Sequence, residues 1–232
     1  ERRFDPARDN LVWVGDLKKV HFYQVQVRLY KPGTAVRTFT PEDIDEFSTE
    51  LETAARVMAN PAQECKVTDA TTSVINATLA PKVSADVLKL EGPGAIRELT
   101  LRVKADDLDR ALRQTVLHVI CDEYPWGQVQ SPVGDFFGAA PGVNPYDSLP
   151  FTVMPDGTMT CRYVMPYESS LRIKLDNRGD QPVEVTGTVA STPYEWNENS
   201  MHFYARWRVD HGLYGAFDAV QDMPFVIAWG AG

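Results

Sequence analysis

Two short stretches hold most of the side chains able to engage a ligand. In Ser131-Pro132-Val133-Gly134-Asp135-Phe136-Phe137-Gly138 a carboxylate stands between a glycine and two aromatic rings. Such a carboxylate can accept hydrogen bonds from the hydroxyls of a sugar while Phe136 or Phe137 packs on the sugar's apolar face. The competing reading is that Asp135 caps backbone amides at a tight turn and both rings are core. In His202-Phe203-Tyr204-Ala205-Arg206-Trp207-Arg208-Val209, alternation puts His202, Tyr204, Arg206 and Arg208 on one strand face and Phe203, Ala205, Trp207 and Val209 on the other. The polar row suits the lining of a cleft, a subunit interface or a solvated face; Trp207 reads as core. Asn144 and Asp147 lie in a loop rich in proline and glycine, where function concentrates but turn chemistry also uses these residue types.

The other carboxylates with a suggestive setting are Glu168 and the pair in Asp122-Glu123-Tyr124-Pro125-Trp126, which reads as a solvated turn. The chain carries no G-x-S-x-G elbow, H-E-x-x-H pair or glycine-rich phosphate loop. Cys65, Cys121 and Cys161 form an odd, sparse set without C-x-x-C spacing. They therefore read as buried or idle thiols, with a single disulfide as the alternative, and not as a zinc site. No metal and no cofactor is expected.

The elements that position these residues are mostly strands. Phe22–Tyr30 alternates with period 2, and Lys31-Pro32-Gly33-Thr34 turns the chain. A helix is predicted next, capped by Thr40, with Pro41 in its first turn and Asn60-Pro61 at its end. Its apolar stripe, Ile44, Phe47, Leu51, Ala54, Ala55 and Met58, is expected to pack into a core. From about residue 70 the sequence reads as short strands separated by turns, interrupted by a helical turn near Asp106–Arg113. Leu99, Leu101 and Val103 alternate with polar residues, as do Leu171, Ile173 and Leu175, and Thr115–Cys121 is nearly all apolar. Met154-Pro155-Asp156-Gly157-Thr158 reads as a hairpin turn, and Asn177-Arg178-Gly179-Asp180 turns the chain into Val183–Val189. This rhythm predicts a mainly β fold, a β-sandwich or jelly roll.

Length and charge bound the function. The 232 residues, 44% of them apolar, suffice for one core with a satellite piece. With 23 basic against 32 acidic residues the net charge is −9, which disfavours nucleic acid and anionic lipid. No apolar run approaches the roughly 20 residues of a membrane helix. Pro224–Trp229 is a strongly apolar strand candidate followed only by Gly230-Ala231-Gly232. An unpaired apolar strand is a sticky edge, so its partner is expected from a C-terminal remainder or a second polypeptide.

The motifs fall in a recognisable order: Glu91-Gly92-Pro93-Gly94-Ala95-Ile96, Pro132-Val133-Gly134-Asp135-Phe136-Phe137-Gly138, Val164-Met165-Pro166-Tyr167 and His202-Phe203-Tyr204-Ala205-Arg206-Trp207. This series resembles glycoside hydrolase family 172, whose members carry G-P-G-x-I, P-x-G-D-F-F-G, M-P-F and H-F-H-A-x-W. Tyr167 stands for the usual Phe and Tyr204 for the second His, and Glu168 for a basic residue. Val20-His21-Phe22-Tyr23 and Pro32-Gly33-Thr34 look like closing strands of that family's first jelly roll. The resemblance implies a double jelly roll, with residues 1–40 closing the first roll, 41–69 a helix and linker, and 70–232 the second roll. It further implies a homo-trimer or a multiple, and a furanoside substrate cleaved with retention by two glutamates about 5 Å apart. Those glutamates sit in W-G-E-G-D-E-like and G-T-x-x-E-D-Y-like motifs, absent here, so they are expected on missing sequence or a partner chain. Asp135, Phe136, Phe137, Asn144, His202 and Arg206 are then the expected substrate-binding residues. A periplasmic or secreted location is favoured over the cytoplasm, and the alternatives are a structural oligomer or a lectin-like module.

Overall fold

A computed structural model describes residues 30–37, 39–209 and 211. The chain divides into two units at Glu46/Phe47. The strand expected over Phe22–Tyr30 and the one over Pro224–Trp229 lie outside the described residues, Tyr30 excepted.

In the first unit Pro32 and Gly33 make the expected turn. Gly33 takes φ +86° and the Thr34 amide donates to the Lys31 carbonyl at 3.1 Å. Helix α1 (Glu42–Glu46) follows. Its cap differs in detail from expectation: the Asp43 carboxylate accepts the Thr40 amide at 2.7 Å, the reach-back half of a capping box, and Arg37 pairs with the same carboxylate.

The predicted single helix is two. It breaks at Phe47, and α2 (Ser48–Ala59) begins the second unit, followed by the one-turn α3 (Pro61–Glu64). The expected burial of its stripe is corrected as well: Ile44, Phe47, Leu51 and Met58 are all exposed, Met58 by 67%, and α2 has no buried residue. Leu51, Ala54, Ala55 and Met58 keep one helical phase within α2, but no described residue covers that face.

The rest of the second unit is a β-sandwich. In chain order it contains β1 (Thr71–Leu79), β2 (Ser84–Glu91), β3 (Gly94–Lys104), α4 (Leu108–Gln114), β4 (Thr115–Cys121), β5 (Val129–Pro132) and α5 (Val133–Phe136). Then come β6 (Tyr146–Asp147), β7 (Phe151–Val153), β8 (Met159–Cys161), β9 (Met165–Tyr167), β10 (Ser170–Asn177), β11 (Val183–Pro193) and β12 (Ala205–Arg206). One sheet runs β1-β11-β3-β8-β7-β6 with β9 also on β3; the other runs β12-β5-β4-β10-β2. The alternating residues read from the sequence fill the space between them: Leu99, Leu101 and Val103 of β3, and Leu171, Ile173 and Leu175 of β10, are buried in one cluster with Leu117, Val185 and Val189. Each such side chain contributes roughly 1.5–3 kcal/mol by leaving water. The hairpin at Met154–Thr158 forms, closed by the Met154 amide on the Thr158 carbonyl at 2.8 Å.

Two irregularities matter below. In β3, Ile96 faces Ser191 and Glu98 faces Ala190, so Arg97 is an extra residue, a β-bulge. On the other edge of β3, β8 pairs at Leu99–Leu101 and β9 at Gly94–Ile96, leaving Arg97 and Glu98 opposite a gap. The long strand expected over 202–209 is corrected too: only Ala205–Arg206 pairs, and it pairs in parallel with β5.

Candidate functional site

The glycines of the G-D-F-F-G turn set the geometry of the site. Helix α4 is capped by Asp107, whose carboxylate accepts the Arg110 amide at 3.1 Å, and it ends with Arg113 near its C-terminus. At Gly134 a Cβ would sit 3.1 Å from the Leu112 Cβ, so glycine lets α5 press on α4. Gly138 has φ +67°, and a Cβ there would lie 2.8 Å from the Tyr146 hydroxyl, which donates to the Phe137 carbonyl at 2.6 Å. Chain reversal thus turns Asp135 back toward Arg113.

Asp135 Oδ1 accepts from Arg113 Nη1 at 2.6 Å and from the Trp207 indole N–H at 3.2 Å. The Arg113 guanidinium also lies over the Trp207 ring, 5.2 Å from its centre. Asp135 Oδ2 is buried and has no hydrogen-bond partner among the described residues. It borders a cleft of about 450 Å³ whose walls are aromatic. Phe136 meets Phe151 edge-on at 5.7 Å, Phe151 meets Tyr163 at 5.5 Å, and Tyr163 stacks on Phe203 at 5.0 Å. Across the cleft Arg206 Nη1 donates to Gln130 Oε1 at 2.7 Å. The arrangement offers a carboxylate, a guanidinium and flat apolar walls, a combination suited to a ring that carries hydroxyls on its edge and C–H groups on its faces.

The structure brings three of the six expected site residues to this cleft: Asp135, Phe136 and Arg206. Phe137 is wholly buried in the core. Asn144 Nδ2 donates to the Ala139 and Pro141 carbonyls at 2.7 and 2.6 Å, so it holds its own loop. Asp147 accepts from the Thr152 hydroxyl at 2.6 Å and from the Ala62 amide at 3.1 Å. His202 sits elsewhere, its Nε2 3.1 Å from Asp122 Oδ2 and its ring 4.8 Å from that of Trp196. Trp207, expected as core, is 38% exposed and lines the cleft. The in–out reading fails there because regular pairing stops at Arg206. Arg113, Gln130, Phe151 and Tyr163 escape sequence reasoning, since α4, β5, β7 and the segment after β8 converge only in the folded chain.

The turn Asp122–Trp126 forms with Glu123, Tyr124, Pro125 and Trp126 exposed as expected, and Asp122 alone departs from the solvated reading. Its side chain is 14% exposed and accepts the amides of Glu168, Ser169 and Ser170 at 3.0, 2.7 and 3.0 Å, and the Ser169 hydroxyl at 3.0 Å. Burial pushes this carboxyl up, but the Ser169, Glu168 and Ser170 amides together pull it below the usual carboxylate range. Asp122 at φ +54° and Glu123 at φ +55° hold a left-handed turn beside it. Asp122 is therefore an anchor tying the end of β4 to the start of β10.

No curated protein matches the chain. The GH172 domain-like family model matches residues 69–188, more than half of the chain. The matched span takes in β1–β10 and the Asp135 wall of the cleft, while Phe203–Trp207 of the opposite wall lies beyond it. The chain belongs to the GH172 domain-like family, and its sandwich is a carbohydrate-active, glycoside hydrolase-related domain.

Proposed function

We propose that the aromatic cleft binds a furanose ring and that the chain works within a retaining furanoside hydrolase. The observation that carries this reading is Asp135, whose carboxylate stands at a cleft walled by Phe136, Phe203 and Trp207 and keeps one covered oxygen without a hydrogen-bond partner among the described residues. A sugar hydroxyl would bond that oxygen once the side chains covering it part, and Arg206 would bond a second hydroxyl. The volume falls within the range of small-ligand pockets. Retaining chemistry needs two carboxylates about 5 Å apart. Asp135 is the one carboxylate lining the cleft among the described residues. The catalytic glutamates would therefore come from sequence or a partner chain beyond the described residues, in a trimer or a multiple of one. In this reading residues 1–40 close a first jelly roll, 41–69 link, and 70–232 build the second.

A second reading, a lectin-like module, is favoured by the same single carboxylate. Titration of the chain with methyl arabinofuranosides and fructofuranosides, against matched pyranosides, separates these readings. Furanoside binding without turnover, with turnover on adding a glutamate-bearing partner, supports the first; binding that never becomes turnover supports the second. Equal affinity for furanosides and pyranosides, or binding indifferent to Asp135→Asn, sinks the furanoside site.

A further inference from the structure

We propose that a second cleft, in the other sheet, binds an oxyanion carried by a sugar: the carboxylate of an acidic sugar or the phosphate of a sugar ester. This inference does not rest on the furanoside reading. The cleft encloses about 440 Å³ between the segment Cys65–Thr68 ahead of β1, the bulge of β3, the end of β11 and the segment after β8. Among the described residues its charged lining is Lys66, Arg97 and Arg162, with no carboxylate. Three cations meet there against one acid, Glu98 beside Arg162, on a chain of net charge −9.

The backbone is built to bring them there. Arg97 is the extra residue of the β3 bulge, and a bulge re-aims a side chain that a regular ladder would lock in register. The gap between β8 and β9 opposite Arg97 is filled by the segment carrying Arg162. Arg162 is held firmly: its side chain is 9% exposed, its Nη1 donates to the Thr152 hydroxyl at 2.8 Å, and its amide donates to the Pro150 carbonyl at 2.8 Å. Its Nε is buried and makes no hydrogen bond among the described residues, its ion-pair partner Glu98 standing 3.9 Å away through Oε2. Among the described residues neither Lys66 nor Arg97 has an ion-pair partner. A fixed guanidinium, two cations without ion-pair partners among the described residues and the Thr68 and Thr192 hydroxyls match an oxyanion flanked by sugar hydroxyls.

Cys65 lines this cleft and reports on it. Burial pushes the Cys121 and Cys161 thiols up to about 12, whereas Cys65 is partly exposed, so neutral N-ethylmaleimide should modify Cys65 alone. The experiment follows that modification on the folded chain with D-glucuronate, D-ribose 5-phosphate, inorganic phosphate, D-glucose or D-ribose present. At least one of the two acidic sugars should slow it fivefold or more, and the neutral sugars should not. Whichever protects at lower concentration identifies the anion as carboxylate or phosphate. The exposed double variant Lys66→Gln/Arg97→Gln, which breaks no contact in the fold, should need at least tenfold more ligand. No protection by either acidic sugar, or equal protection in the double variant, overturns the proposal. Inorganic phosphate protecting as well as ribose 5-phosphate would mean an adventitious ion only, and overturns the assignment to a sugar.

Discussion

Asp135 and Trp207 meet at 3.2 Å, carboxylate to indole N–H, across 72 residues of sequence. The contact ties the turn after β5 to the segment after β12, beside the Arg206–Gln130 bond and the β12–β5 pairing that join the same segments. Replacing Asp135 by Ala strands the Trp207 donor and the Arg113 guanidinium together. Asp135→Ala should lose about 1 kcal/mol of stability in urea unfolding, since Arg113 and Trp207 are both partly exposed and water takes up part of what they lose. Asp135→Asn keeps an oxygen for Trp207 and should lose less than half as much, while weakening furanoside binding. Equal stability for both variants would mean that Trp207 is held by packing alone.

Much of the sandwich was legible because burial imposes period 2. Leu171, Ile173 and Leu175 alternate cleanly and are fully buried. The turns at Pro32-Gly33 and Asp156-Gly157 announce themselves through residues suited to special backbone angles. The α2 stripe misled because periodicity records amphipathicity without saying what lies beneath it. The cleft was half legible. Asp135 stands out in a glycine-flanked turn, but its partners Arg113 and Trp207 lie 22 residues before it and 72 after it, and no local pattern joins them. The bulge at Arg97 does leave a trace: Ile96 and Leu99 are both apolar and buried though three residues apart, a break in period 2 that the alternation of Leu99, Leu101 and Val103 alone does not show.

Gly187, in mid-β11 opposite Leu101, gives a test of the sheet itself. A Cβ there would run into the Thr100 carbonyl oxygen and lie 2.9 Å from Leu101 Cδ2. Backbone cannot yield as a flexible side-chain tip does, so Gly187→Ala should cost about 3 kcal/mol or more, at the upper end for overpacking. Soluble yield and thermal unfolding will show it. A variant that melts with the parent protein would place β11 in a different register.

Asp122 should matter more for folding than for chemistry. Asp122→Ala leaves three amides of the Glu168–Ser170 turn without their acceptor and His202 without its partner. A loss on the order of 2–3 kcal/mol is expected, since charged acceptors contribute more than neutral ones. Asp122→Asn retains part of the pattern and should fall between. Because the folded carboxyl lies below its usual range, its contribution is complete above the ordinary carboxylate pKa and lost as pH falls through the folded value. If Asp122→Ala unfolds at the same urea concentration as the parent, the anchor role is wrong.

His118 provides the test near neutrality. It faces Lys174 on β10 and Gln130 on β5, and its Nε2 is buried without a partner. Burial first, then the charges of Lys174, Arg178 and Arg206, push its pKa below the ordinary value near 6.5, and Asp176 opposes them without prevailing. Between the depressed pKa and about 6.5 the unfolded chain binds more protons than the folded one, so stability rises with pH in that window. Acidifying from pH 7.5 to 5 should therefore lower the urea midpoint, and His118→Gln should flatten that part of the profile. Asp122, which titrates in a lower range, leaves this window untouched. A parent and a His118→Gln variant with parallel profiles between pH 7.5 and 5 would show that the ring is free to take its proton inside the fold.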